Sequence, residues 1–218
     1  MVLSSEGEAR VTTERQNPEP LQEHRLRPTD WEETYRQHAW DYLAALAETP
    51  RYSAVAGYVH KLACRRHVLD AGCGEGMLIE YLDMNRLHYT GFDVSPTAID
   101  RARQRYGGAY FVCCSLDDFT PPHGERYDLI IFNEVLTSLK NSIEILNRFY
   151  TFLQPSGHII ISQFQNSNPN SNACIFTQML EAEIAAGRYP VVSNSEVQNC
   201  ETGRRWRVYC LGDLRSAG

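Results

Sequence analysis

The spacing of apolar and polar residues changes several times along this chain, and each change marks an element. Residues 1 to 27 carry almost no apolar periodicity and are rich in Glu, Arg, Gln and Pro, the pattern of a disordered or loosely held tail. In "RPTDWEETYRQHAWDYLAALAETPRY" the residues Trp31, Tyr35, Trp40, Leu43 and Leu46 recur near helical spacing. Thr29 with Glu32 forms a capping-box pattern, with Asp30 and Glu33 as the alternative register. Pro50 is expected to break this helix, and a second one is expected from about Tyr52 to Leu62.

From His67 the rhythm alternates. Short, nearly continuous apolar runs, "HVLDAG", "YTGFDV", "AYFVCC", "YDLIIFN" and "HIIISQF", are separated by helical patterns at Met77–Leu82, Pro96–Tyr106 and Ser142–Leu153, with a short piece after Glu134. Ser95 before Pro96 is an N-cap followed by proline at the first helical position. Strands of this kind alternating with helices predict a parallel sheet covered on both faces. The last stretch changes again. A helix over about Ile175–Ala186 precedes two strand-like runs that flank Glu201–Thr202–Gly203, the pattern of a hairpin that closes the sheet with an antiparallel strand.

One junction carries chemistry. "HVLDAGCGEG" places glycines at 72, 74 and 76, with Asp70 at the mouth of the turn. In an open parallel sheet, ligands bind beyond the carboxyl ends of strands, where helices begin and offer free N–H groups. A glycine turn alone fits a plain tight connection or a dinucleotide site as well. The dinucleotide fingerprint, however, is G-x-G-x-x-G, and a carboxylate at Asp70 repels a pyrophosphate while suiting a cation such as an α-ammonium. Asp93 lies at the end of the second strand, where a carboxylate accepts hydrogen bonds from both hydroxyls of a ribose. The set asks for a ligand with a ribose, no phosphate and a positively charged amino-acid end.

Composition narrows the classes. With 218 residues, 43% of them hydrophobic, the chain suits one large globular domain. A net charge of -6 argues against a nucleic-acid substrate. Arg204, Arg205 and Arg207 come close to a basic patch but read as a solvated strand edge. No run approaches a membrane span, and the N-terminus lacks a signal core. Seven cysteines without a CxxC pair read as reduced thiols of a cytoplasmic protein, not as a disulfide framework or metal site.

"VLDAGCGEG" followed by "YTGFDVSPTAIDRAR" resembles the class I S-adenosylmethionine-dependent methyltransferases, over about Trp31 to Leu211 and most densely over Val68 to Leu139. "HAWDYLAALAETPRY" also looks like the cover of small-molecule members, including the nodulation-factor N-methyltransferase type. The resemblance implies an α/β Rossmann-like sheet of order 3-2-1-4-5-7-6 with strand 7 antiparallel, and one domain over 28–218 whose residues 28–62 form an N-terminal helical lid. It implies S-adenosylmethionine as cofactor, with Asp70, Gly72, Cys73 and Gly74 beside its methionine part and Asp93 and Val94 at the ribose. Ser115 and Leu116 fall at the adenine, where Ser115 replaces a frequent acid and either its hydroxyl or Asp117 takes the contact. Asn133 lies next to the sulfonium, with Tyr35 and Trp40 closing from the lid. Asp70 reads equally as a direct ligand or as the organiser of the glycine loop.

A base is needed only for an acceptor that must lose a proton. Relatives often carry His four residues after the glutamate of "FNEVL"; this chain has Ser138. The candidates for chemistry are therefore His38, on the aromatic helix, with Glu134 and Ser138. The polar run "QNSNPNSN" from Gln165 either lines an acceptor pocket or is a solvated loop. No metal set is present, and the expected partner is a small-molecule acceptor methylated on N or O. The competing readings are a binding or scaffold module of the same fold, and an aminopropyltransferase-like enzyme.

Overall fold

The computed structural model describes residues 28–62 and 66–214, so the tail before Pro28 lies outside the described residues. Its centre is a seven-stranded sheet: β1 (Arg66–Ala71), β2 (Leu87–Asp93), β3 (Tyr110–Cys113), β4 (Tyr127–Asn133), β5 (Leu153–Phe164), β6 (Val191–Gln198) and β7 (Arg205–Leu211). The order is β3-β2-β1-β4-β5-β7-β6. Neighbours from β3 through β5 pair in parallel, and β7 runs antiparallel to both β5 and β6. This is the topology expected from the sequence.

Helices cover both faces. On one face α2 (Thr49–Leu62) and α3 (Pro96–Arg105) set Tyr52, Val55, Val59, Ile99 and Ala102 against Val68, Tyr89, Leu129 and Ile131. On the other, α4 (Ser142–Tyr150) and α5 (Asn172–Ala185) set Ile145, Leu146, Phe149, Phe176 and Leu180 against Leu69, Phe92, Ile130 and Phe132. Adjacent residues such as Ile130 and Ile131 enter opposite cores because strand side chains alternate, which is why these strands read as unbroken apolar runs. Each such side chain, fully buried, contributes about 1.5–3 kcal/mol.

Four expectations need correction. The N-terminal aromatic segment is not one helix: α1 spans Pro28–Arg36, His38 has a φ of 59°, and two 3₁₀ turns follow at Asp41–Ala44 and Leu46–Glu48. Pro50 does not break a helix but sits in the first turn of α2, where its missing N–H would have no intrahelical partner anyway. Met77–Tyr81, after the glycine turn, is a 3₁₀ helix and not an α-helix. The helical pattern over Ser142–Leu153 ends early: α4 stops at Tyr150, and Leu153 already begins β5.

The topology puts several junctions at one edge. The glycine turn follows β1, Asn133 ends β4, and β7 enters the sheet opposite the end of β5, with Phe164 paired to Trp206. The turn between β6 and β7, residues 199–204, therefore shares the edge that holds the carboxyl ends of β1, β4 and β5.

Candidate functional site

The glycine turn is built by its own backbone. Gly72 and Cys73 donate their N–H groups to Phe92 O at 2.8 and 2.9 Å, Gly76 to Cys73 O at 3.0 Å, and Gly74 to Asp93 Oδ2 at 3.0 Å. These four donors are spent inside the protein, so this stretch of loop offers them to no pyrophosphate. Gly72 has φ 74° and Gly74 φ 54°, in the left-handed region that favours glycine. Both are also approached closely: a Cβ at Gly72 would meet Val135 Cγ2 at 2.6 Å, and one at Gly74 would meet the Tyr35 hydroxyl at 2.5 Å.

Two buried carboxylates flank the turn. Asp70 Oδ2 accepts a bond from the Tyr89 hydroxyl at 2.7 Å, whereas its Oδ1 is buried with no hydrogen-bond partner. Burial pushes the Asp70 carboxyl up to about 6, against the Tyr89 bond and the Arg51 charge. Asp93 accepts from Ser95 N at 2.9 Å on Oδ1 and from Gly74 N on Oδ2. Burial raises its pKa while those backbone bonds lower it. A carboxylate accepts about four bonds, so each Asp93 oxygen retains a lone pair.

The N-terminal segment closes over this side. Glu32 does not complete a capping box in α1. Its carboxylate reaches across to α3, taking bonds from the Ser95 hydroxyl at 2.6 Å, the Thr97 hydroxyl at 2.6 Å and Thr97 N at 3.2 Å. Although burial opposes it, those bonds hold the Glu32 carboxyl down at about 2. Ser95 is the N-cap of α3, accepting from Ala98 N at 3.1 Å. Arg101 fastens the same contact from below, donating to Tyr35 O and to Glu75. Thus α1 rests on α3 and the glycine turn, beside β1 and β2. Trp40 stacks on Trp31 at 5.7 Å and is flanked by Tyr35 and Tyr42.

His38 faces away from the other candidates for chemistry. Its side chain is 61% exposed, and its ring nitrogens meet Asp41 and Arg101. Among the described residues no hydrogen bond links it to Asn133, Glu134 or Ser138. The Ser115 hydroxyl donates to Asp118 Oδ2 at 2.6 Å and accepts from Asp118 N, so it caps its own turn. Asp117 accepts from Asn141. Arg148 pins this segment from α4 through Leu116 O and Phe119 O, a role no sequence pattern announced.

Beyond β4 the site becomes ionic. Glu134 has a φ of 67° and bridges two strand ends, accepting from Phe164 N at 3.0 Å and from the Ser162 hydroxyl at 3.4 Å. Burial pushes its carboxyl up to about 7, with Arg51 opposing. Arg51, 2% exposed, donates Nη1 to Asn133 Oδ1 at 2.7 Å and Nε and Nη2 to Glu48 at 3.3 and 3.1 Å, with Tyr52 beneath its guanidinium at 4.3 Å. Glu48, 3% exposed, takes a second arginine, Arg204, on its other oxygen. Neither Glu48 nor Arg51 was marked by any motif. Ser138 closes a 3₁₀ turn after β4. In the run after Gln165, Asn166 and Asn168 spend side-chain oxygens on backbone N–H groups two residues on. Among the described residues no three His, Cys, Asp or Glu side chains gather as a metal site requires.

A family profile described as a methyltransferase domain matches residues 31–206. The chain belongs to this methyltransferase family. It is 30% identical over 113 residues to trans-aconitate 2-methyltransferase of Paracidovorax citrulli, covering 51% of this chain and 44% of that one. It is 28% identical over 116 residues to ubiquinone biosynthesis O-methyltransferase of Coxiella burnetii, covering 51% and 48%. The chain thus spans about half the length of the curated relatives it matches. Its fold is that of the N-methyltransferase NodS from Bradyrhizobium japonicum, crystallised with S-adenosyl-l-homocysteine (TM-score 0.66, 18% identity, 84% of this chain and 97% of that one). The same holds for 1,6-didemethyltoxoflavin-N1-methyltransferase of Burkholderia thailandensis (TM-score 0.68, 22% identity, 85% and 86%). No helix among the described residues is long and apolar enough to cross a membrane.

Proposed function

We propose that this methyltransferase-family chain transfers a methyl group from S-adenosylmethionine to N or O of a small molecule. The observation that carries the reading is the buried Asp70 oxygen with no partner, beside a glycine turn whose donors are already used. That arrangement suits an α-ammonium and not a phosphate. The residues fit the cofactor: Asp70, Gly72, Cys73 and Gly74 along its methionine part, Asp93 and Val94 at the ribose, and Leu116 with Ser115 at the adenine. Tyr35, whose hydroxyl lies over Gly74, and Trp40 beside it exclude water from that side.

What the cofactor supplies when bound is an electrophilic methyl on a sulfonium. Asn133 and Glu134 end β4 on the acceptor side. A carboxyl near 7 is about half ionised at neutral pH and takes a proton from an acceptor hydroxyl as its oxygen attacks. An amine that arrives neutral needs no such step. Relatives named for both N- and O-methylation support either atom. His38 has no part in this reading, because its ring is held by Asp41 and Arg101. A cytoplasmic setting, where thiols such as Cys113 and Cys114 stay reduced, belongs to the same reading.

Titration calorimetry tests it. S-adenosylhomocysteine should bind and raise the melting temperature, whereas NAD should do neither. Binding of NAD with no response to either sulfur ligand sinks the reading. Cofactor binding without turnover on any acceptor moves the chain to the scaffold alternative.

A further inference from the structure

The three arginines after the hairpin turn divide. Arg205 and Arg207 behave as a solvated edge, pairing on the surface with Glu196 and Glu181. Arg204 does not. It lies at the shared strand-end edge, next to the pairing of Gln165 N with Arg205 O at 2.8 Å. Its Nη1 is held by the buried Glu48, and its guanidinium carbon sits 5.3 Å from the centre of the Tyr42 ring. Its side chain is 33% exposed.

A guanidinium has five N–H donors in a planar fork. Arg51 spends donors from all three nitrogens on Glu48 and Asn133 and is sealed from solvent. Arg204 spends one nitrogen, and its Nε and Nη2 have no partner among the described residues. Arg204 is the exposed cation of this cluster, in which two guanidiniums share the Glu48 carboxylate and Glu134 faces Arg51. The fork is also preorganised: Glu48 fixes one edge and Tyr42 one face, so little rotamer freedom remains to be lost on binding.

We propose that Arg204 anchors a carboxylate of the methyl acceptor, which makes the acceptor a small carboxylic acid. The inference rests on the reading of the β4 end as the acceptor side. A carboxylate matches the free edge of the Arg204 fork. A phosphate monoester brings about 1.5–2 negative charges to a place where Glu48 and Glu134 already stand close. Asn133 is joined to this anchor through Arg51 and Glu48, with Glu134 next to it in the chain, so the acceptor's carboxylate and its reacting atom address opposite ends of one polar chain.

The test uses the full chain loaded with S-adenosylhomocysteine. Glutarate, its neutral diamide and inorganic phosphate are titrated at one ionic strength. Glutarate is expected to bind better than its diamide and better than phosphate. Arg204→Gln should weaken it tenfold or more, and Arg204→Lys, which keeps the charge but not the fork, by less. S-Adenosylhomocysteine affinity should be the same in all three proteins, which also shows that the variants fold. Equal binding of acid and amide, unchanged binding in Arg204→Gln, or tighter binding of phosphate overturns the proposal. Loss of S-adenosylhomocysteine binding by the wild-type protein instead removes the methyltransferase reading beneath it.

Discussion

The two halves of the strand-end edge are assembled in different ways. On the β1–β2 side, most polar partners come from neighbouring motifs: Asp70, the glycine turn, Asp93 and Ser95 lie within 26 residues of chain and are joined largely through backbone groups. On the β4–β5 side, the partners are Glu48, Arg51, Asn133, Glu134 and Arg204, side chains drawn from three distant segments. The first half is rigid because its backbone is self-satisfied. The second is held by charges whose worth depends on every member being present. A site divided this way keeps one ligand constant and lets the other half vary with little cost to the first.

The largest blow to that division is Glu48→Ala. It leaves Arg51 buried beside Asn133 with only the raised Glu134 carboxyl as a counter-charge, and breaking a buried pair costs about 3–5 kcal/mol. Chemical denaturation should show a loss of that size, with Glu48→Gln losing less. If Glu48→Ala keeps wild-type stability, the ionic half is not a unit.

Asp93→Ala attacks the other half. Two charge-assisted bonds to a ribose, each worth about 1.5–3 kcal/mol, predict at least a hundredfold weaker S-adenosylhomocysteine binding. Asn133→Ala should leave that affinity unchanged. Equal effects in both variants would erase the distinction between the halves.

Asp70 sharpens it through pH. Its folded carboxyl is raised from 3.8 to about 6, so ionising it costs the empty protein stability as pH rises through 6. A bound ammonium favours the ionised form. Cofactor-product affinity should therefore rise about fivefold from pH 5 to pH 6, reach about tenfold by pH 7 and level off above it, with the slope absent in Asp70→Asn. Calorimetry in buffers of different ionisation enthalpy should show proton release on binding near pH 6.

The smallest effect is expected at Glu32. Glu32→Gln should cost about 1 kcal/mol, as loss of a helix cap does. Its carboxyl is lowered from 4.5 to about 2, so this contribution is present above pH 4.5 and is lost as pH falls toward 2. A wild-type acid transition that the variant shares unchanged would argue against the cap.

The sheet order and the first half were legible because their signals are local. Three glycines, Asp70 and Asp93 sit at fixed offsets from apolar runs, and Ser95 caps the helix that its neighbour Pro96 announces. The same local logic puts Glu32 in a capping box, but tertiary contact overrides it: Glu32 accepts from Ser95 and Thr97 at the N-terminus of α3. Helical spacing alone would carry the first helix through His38. The helix ends at Arg36, and the left-handed backbone at His38 turns its ring to Arg101. Glu48, Arg51 and Arg204 had no such signal. Residues 48 and 204 meet only in the folded chain, and nothing in their spacing says so.

The bridge from Glu48 to Arg204 also sets an order of events. A chain emerging from the ribosome has its cofactor half in hand once β4 is made, but Glu48 and Arg51 must wait some 150 residues for the hairpin that supplies their last partner. Contacts of that sequence separation carry the largest loop-closure cost and form late. Until then the carboxyl end of β5 is an open sheet edge, since β7 is the strand that covers it. The hairpin is thus the clasp of the molecule: its arrival closes the sheet and completes the ionic half in one step.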